Sequence, residues 1–454
     1  MVGSNGLVTQ LPWLFRDSKN ETREHIFLRL TMQKKDTDDL ASRLGPGLIT
    51  GAADDDPSGI ATYSQAGSQF GFGLVWTLLL TTPLMIGIQM LSARIGFVTG
   101  KGLAANMVKV CPRWLAVSLV GLLVVANTIN IAADIGAMAE ATRLLAGGSH
   151  IVYIALFGAV SIATQIWFSY ERTVGILKWL TMVLFAYVAV VVVVPVSWGQ
   201  VFRESATPWS HFPKGVSLGD YASMVVAVLG TTISPYLFFW QASQEAEDKR
   251  RRPVSSLAAD PVGSKRHLSR IKLDTFVGML FSNAVALCIV IATAVTLNQR
   301  GITTIATAAQ AAEALRPIAG EFAFAVFALG IIGTGLLAVP VLAGSAAYAV
   351  SEVFGWRAGL SRGFHEARGF YLIIVAATGI GTLMSLLELD PIKALVWSAI
   401  VNGVISVPIM MVMMWIGQSK RVMGALTMSP RHRFFGWAAT VVMGIAVVIM
   451  FVTM

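Results

Sequence analysis

The chain has 454 residues, of which 55% are hydrophobic and only 13% charged, and its mean hydropathy is +0.68. Soluble domains carry about 25% charged residues, so this composition excludes an ordinary soluble enzyme or binding domain and points to a polytopic membrane protein. Two cysteines exclude a disulfide framework or thiolate metal cluster, and the net charge of +9 needs no nucleic-acid partner once its distribution is followed along the chain.

Residues 1–44 are polar and charged, with no short apolar core ahead of a small-residue cleavage site, and are expected to form a cytoplasmic tail. A spanning helix needs about 20 mostly apolar residues. Eleven such segments follow, near 46–69, 74–98, 114–143, 151–169, 174–197, 220–243, 273–296, 319–350, 369–388, 391–416 and 434–453. With the N-terminus inside, 28 of the 34 lysines and arginines fall on cytoplasmic segments. Arg143, Arg203, Lys214, Arg300, Arg316 and Lys393 fall outside. This asymmetry sets the expected orientation, with the chain in a bacterial inner membrane and its N-terminus in the cytoplasm. KRRR at 249–252 reads as a topology signal at the membrane surface, with lipids as its partner and anionic lipid binding as the sharper reading.

Most spans are smooth apolar runs, as in VLFAYVAVVVVVPV (183–196), but the first and sixth are not. AADDDPSG (52–59) puts Asp54, Asp55 and Asp56 before a Pro-Ser-Gly break, and TTISPY (231–236) interrupts the sixth. Proline removes a backbone donor, and the carbonyls it frees find no water in hydrocarbon. A cation between two unwound helices supplies the missing partner. Breaks five spans apart are where a five-plus-five inverted repeat places equivalent elements, with a binding site between them. The competing reading is that each proline only kinks its helix.

GPGLITGAADDDPSGIATYSQAGSQFGFGLVW (45–76), followed by SARIGFVTGKGLA (92–104), resembles the opening of the Nramp divalent-metal transporters. Their first helix carries Asp-Pro-Gly-Asn and their sixth Ala-x-x-Met-Pro-His. The resemblance implies an all-α LeuT-type fold with about eleven transmembrane helices. A core over 45–417 would hold inverted repeats near 45–200 and 218–417, and a loop and eleventh helix would follow over 418–454. It also implies one divalent cation at mid-membrane and no catalytic activity. Asp56 falls on the family's coordinating acid, but Gly59 replaces the coordinating Asn, Ser234 the methionine and Tyr236 the histidine. The family's second sixth-helix histidine falls near Gln241. These departures resemble the Nramp-related magnesium transporter branch, which takes Mg2+ and Mn2+.

The departures have a chemical meaning. A thioether favours transition metals, whereas Mg2+ prefers oxygen and keeps several waters. The expected metal ligands are Asp56, Gly59, Thr231 and Ser234. Ser58, Thr232 and Tyr236 are expected around them, with Asn402 on the tenth span near the family's pathway Gln. Asp54 and Asp55 either line a vestibule that concentrates cations or are simply solvated. Back-bonding to the preceding helical turn is the structural reading for the sixth-helix hydroxyls.

The third span, ANTINIAADIGAMAEA (126–141), retains Asp134 where the family has an acid, while Asn127 and Ala137 replace two others. The ninth span lacks arginine, and all six histidines fall in tails or loops, so no imidazole is expected to relay protons in the membrane. The expectation is uncoupled, electrogenic influx of Mg2+ or Mn2+. An inside-negative potential favours a dication by about 4.6 kcal/mol per 100 mV, twice the single-charge value. Asp134 and Glu140 leave the proton question open, either as functional intramembrane acids or as structural partners of each other or of neighbouring helices. The alternatives are a proton-coupled Mn2+/Fe2+ importer and an Nramp-like protein with a decayed site. An amino-acid transporter and a sensor are disfavoured, the first because Asp56 would repel a substrate carboxylate. No nucleophile–base pair, nucleotide loop or HExxH motif suggests an enzyme, and no cofactor or obligate protein partner is implied.

Overall fold

The computed structural model describes residues 46–167, 182–207, 216–251, 261–387 and 390–454. Residues 45–454 form one unit, and the tail expected over 1–44 lies outside the described residues. The described residues are helical, without strands.

The first span is divided into α1 (Pro46–Asp54) and α2 (Pro57–Phe70). Next come α3 (Val75–Thr99), a short amphipathic α4 (Leu103–Val110), α5 (Arg113–Ala146) and α6 (His150–Trp167). A 3-10 turn at Met182–Leu184 leads into α7 (Phe185–Val193), and α8 (Trp198–Ala206) turns away by 106°. The sequence reading carried this fifth span to 197, but the helix stops at Val193. Pro195 holds the preceding Val194 extended, with φ −80° and ψ 148°, and the helix cannot continue through it.

The sixth span is likewise divided, into α9 (Leu218–Thr232) and α10 (Pro235–Arg251). Beyond it lie α11 (Pro261–Thr296), the short α12 (Ala308–Ala312) and α13 (Arg316–Ala319), and α14 (Ala323–Phe354). The chain closes with α15 (Arg368–Ser385), α16 (Pro391–Gln418), a turn α17 (Lys420–Met423) and α18 (Pro430–Thr453). Among the described residues, nine helices are long and apolar enough to span a membrane, counting α9–α10 as one, and the bent α7–α8 pair makes a tenth. The broken α1–α2 is not among these, so nine or ten of the eleven expected spans meet the length and hydropathy of a crossing helix. Divided first and sixth helices, five spans apart, are the hallmark of the LeuT-type arrangement expected from sequence.

Glycines bring the broken helices close to their neighbours. Gly47 and Gly51, spaced as in a small-xxx-small membrane interface, lie on Gly278 of α11. A Cβ at Gly47 would sit 2.7 Å from the Thr275 backbone nitrogen. Asp274 of α11 accepts from Gly47 N (2.7 Å) and Leu48 N (3.1 Å), which satisfies the exposed first-turn donors of α1. Gly230 of α9 meets α16 in the same way: a Cβ there would collide with Ala399 O and lie 2.6 Å from Gly403 N. Small residues in α14, read from the sequence as structural, pack it against α5, where a Cβ on Gly335 would come 2.7 Å from Met138 Sδ.

Candidate metal site

The break in the first helix is encoded locally. Asp56 is the N-cap of α2, at φ −70° and ψ 171°, and Pro57 follows at the first helical position, where its missing N–H costs nothing. The Asp56 carboxylate is buried and accepts from four donors. Gly59 N (2.7 Å) and Ser58 Oγ (2.8 Å) reach Oδ1, while Asn130 Nδ2 (3.2 Å) and the Tyr236 hydroxyl (3.4 Å) reach Oδ2. Three helices therefore hold one carboxylate: α2 through its own first turn, α5 through Asn130 and α10 through Tyr236. The Tyr236 hydroxyl also donates to Ala53 O at 2.9 Å, a carbonyl close to the end of α1. The tyrosine that replaces the family histidine thus ties the two broken helices together.

Asn130 was not singled out from sequence. It is itself oriented by α16, because Ser398 Oγ donates to its Oδ1 at 2.7 Å, leaving Nδ2 to face Asp56. The sequence signal was the spacing of Asn127, Asn130 and Asp134, which share one face of α5 at i, i+3 and i+7. Asn127 points elsewhere, donating to Leu342 O (2.8 Å) and Ser345 Oγ (2.7 Å).

At the sixth-helix break the back-bonding reading is what the geometry gives. Thr232 Oγ1 donates to Val228 O (3.0 Å), and Ser234 Oγ donates to Gly230 O (2.9 Å) and Thr231 O (2.8 Å). Ser234 thereby occupies carbonyls that the break frees, while its lone pairs stay available to a cation. Thr231 lies against α2: a Cβ on Gly59 would be 3.2 Å from Thr231 Oγ1 and equally close to Asp54 O. The C-terminal ends of α1 and α9, which carry the negative ends of their helix dipoles, both border Gly59, where Asp54 O and Thr231 Oγ1 lie.

Asp54 and Asp55 are buried, so the solvated reading is set aside. Ser282 Oγ of α11 donates to Asp54 Oδ2 (2.6 Å) and Asp55 Oδ1 (3.1 Å). Asp134 and Glu140 do not pair with each other. Glu140 binds Arg143 at 2.8 Å near the end of α5, whereas Asp134 is fully buried with neither carboxylate oxygen hydrogen-bonded. Asn402 is also buried with its amide unpartnered, one turn along α16 from Ser398. Gln241 is held between Gln89 Nε2, which donates to it, and Thr275 Oγ1, which accepts from it at 2.8 Å. Among the described residues His150, His365 and His432 stand at helix starts or in a loop and His267 lies in the second turn of α11, and no three of His, Cys, Asp and Glu converge in metal-binding geometry. The hydrogen-bond partners of Asp56 are neutral hydroxyls and amides.

The sequence model described as "Natural resistance-associated macrophage protein-like" (Nramp) matches residues 47–453. The chain belongs to the Nramp family of divalent-metal transporters. It is therefore an integral, multi-pass membrane protein of a transporter family and not an enzyme. It is 26% identical over 390 residues to the divalent metal cation transporter MntH of Verminephrobacter eiseniae, covering 84% of this chain and 82% of that protein. With the MntH of Caldanaerobacter subterraneus the identity is 25% over 440 residues, covering 93% and 94%. The fold is similar to the crystal structure of the Eremococcus coleocola manganese transporter in complex with an aromatic bis-isothiourea substituted compound. The TM-score is 0.69 at 16% identity, with 90% of this chain and 85% of that one covered. Within the Nramp fold, Tyr236 of the sixth span reaches Asp56 of the first, and Thr231 lies beside Gly59.

Proposed function

We propose that this Nramp protein carries Mg2+, and also Mn2+, across a bacterial inner membrane without moving protons, with its N-terminus in the cytoplasm. The observation behind this reading is the set of groups on the Asp56 carboxylate: the Ser58 and Tyr236 hydroxyls, the Gly59 N–H and the Asn130 amide, with no sulfur or imidazole among its hydrogen-bond partners in the described residues. Mg2+ is usually held by one or two carboxylates while it keeps several waters, and hard oxygen donors suit it. Asp56, Thr231 and Ser234 are the ligands in this reading, with water completing the shell. Asn402, with its free amide, faces the hydrated ion from α16. The 28-to-6 split of basic residues supports the orientation.

A second reading, proton-coupled Mn2+ or Fe2+ import, draws on the buried, unpartnered Asp134. Imposed voltage separates the two. In liposomes containing a Mg2+ dye, an inside-negative potassium diffusion potential accelerates Mg2+ influx if the ion moves alone. Influx that ignores the potential and follows an inward proton gradient sinks the proposal.

A further inference from the structure

Between α3, α11 and α18, three helices long and apolar enough to cross a membrane, lies a groove of about 340 Å3. The contact of α18 with α3 is made at Gly87, where a Cβ would sit 2.7 Å from Phe435 Cβ, and both residues line the groove. Its other walls are Pro83, Ile86 and Met90 of α3 and Phe276 and Leu280 of α11. The Thr82 hydroxyl, also on the α3 wall, is spent on Leu78 O at 2.8 Å. Phe276 and Leu280 are 44% and 42% exposed, so the groove opens away from the protein towards hydrocarbon. Its walls suit an apolar chain.

One end of the groove is basic. Arg431 and His432, in the first turn of α18, line it one turn before Phe435. Lys272 stands one turn before Phe276 on the same face of α11, at i and i+4. With three spans between them, α11 and α18 cross in the same direction, so both basic residues mark the same side of the membrane. Arg431 and Lys272 are exposed, and among the described residues neither forms an ion pair and no acid lines the groove. Asp274, two residues from Lys272, is turned to α1, where it accepts from Gly47 N and Leu48 N. The helix end adds to the positive charge. Ser429, the N-cap of α18, makes no side-chain cap, its hydroxyl being engaged with His432 Nδ1 at 2.6 Å. The first-turn N–H groups and the positive dipole end of this helix are left uncapped beside Arg431.

We propose that the groove holds one acyl chain of an anionic phospholipid, with its phosphate at Arg431 and Lys272. From Thr82 to Met90 the α3 wall runs about 12 Å, most of the roughly 15 Å half-thickness of a hydrocarbon core. A zwitterionic lipid fills the same walls but brings a cation of its own to a basic mouth. Basic pockets between membrane helices on the cytoplasmic side suit anionic headgroups. The orientation proposed above puts this end on that side, although the match of apolar wall to basic mouth does not depend on it. The lipid sits on the helix that supports α1 through Asp274, on a face of α11 turned away from that contact.

Native mass spectrometry of the full-length protein, given equal amounts of phosphatidylglycerol and phosphatidylcholine with the same acyl chains, reads the lipid retained per chain. One phosphatidylglycerol is expected, held over phosphatidylcholine by at least about fivefold, the order of one basic residue at a charged surface. The preference should vanish in Lys272→Gln/Arg431→Gln. Leu280→Trp, which fills the groove and leaves the charges, should lose the lipid. Arg357→Gln/Arg368→Gln removes the same charge from exposed positions at the α14–α15 connection and should keep it. Equal retention of the two lipids by the wild type, or an equal loss in that control pair, would overturn the site. Retention by Leu280→Trp with loss in Lys272→Gln/Arg431→Gln would leave only a charged surface and overturn the groove. Lys272 and Arg431 are exposed and unpaired, so their double variant is expected to elute as the wild type does in size exclusion. The readout involves no metal, so its failure leaves the reading of Asp56 intact.

Discussion

Asp56→Ala is expected to reduce Mg2+ influx by at least about 100-fold, and Asp56→Asn by a similar factor. A factor of 100 corresponds to about 2.8 kcal/mol, within reach of a lost charged ligand in a site that excludes bulk water. The two variants should differ in stability. Alanine also removes the N-cap of α2, worth about 1 kcal/mol, and leaves the Gly59 N–H, the Ser58 hydroxyl and the Asn130 amide without their acceptor. Asparagine keeps an oxygen for the cap and should run as a monodisperse, folded protein. Tyr236→Phe and Asn130→Ala should give graded losses of a few-fold to about tenfold, because they remove donors that orient Asp56 and not the ligand itself. Initial rates in liposomes, with size-exclusion profiles as the control for folding, give the ranking. Wild-type rates in Asp56→Asn would remove Asp56 from the ion's path.

Ser234→Met is expected to move selectivity towards soft metals. Cd2+ and Mn2+ should compete with Mg2+ at least about tenfold better than in the wild type, since a thioether favours transition metals over Mg2+. The substitution has a structural cost, because Ser234 Oγ serves Gly230 O and Thr231 O at the end of α9. Ser234→Ala loses the same bonds without adding sulfur and is the matched control. Competition that improves in the methionine variant alone supports the chemistry, whereas equal behaviour in both would assign the effect to the loosened helix end. Restoring asparagine at Gly59 is a poorer test. Its Cβ would already press on Asp54 O, Thr231 Oγ1 and the Tyr63 ring at 3.2–3.3 Å.

Both helix breaks were legible in the sequence because each is written in a few adjacent residues. An aspartate before Pro-Ser-Gly is an N-cap followed by a helix-starting proline, and Pro235 likewise starts α10, with the Ser234 hydroxyl turned back onto Gly230 O and Thr231 O. The apolar periods gave the order of spans, but the valine run before Pro195 disguised the end of the fifth. Glu140 was read as an intramembrane acid. At 34 residues α5 is about 51 Å long, well beyond the roughly 30 Å of a hydrocarbon core, so the helix carries Glu140 to its far end beside Arg143.

What the sequence could not disclose depends on contacts between helices far apart in the chain. Asn130 reaches Asp56 only because α16 supplies Ser398 to orient it. Asp54 and Asp55 are buried because Gly47, Gly51 and Gly278 bring α11 and Ser282 against the break. The hydroxyls of Thr232 and Ser234 are equivalent in sequence, and only the geometry of the helix end separates a side chain folded onto its own turn from one that caps freed carbonyls.

The most direct measurement of the central claim records Mg2+ and pH together inside liposomes that hold the purified protein at a fixed inside-negative potential. The account predicts that Mg2+ rises, that the interior does not acidify with it, and that Asp56→Asn abolishes the rise. Acidification in step with metal influx, with Mn2+ admitted and Mg2+ refused, would contradict it and make the protein a proton-coupled importer whose selectivity does not depend on sulfur.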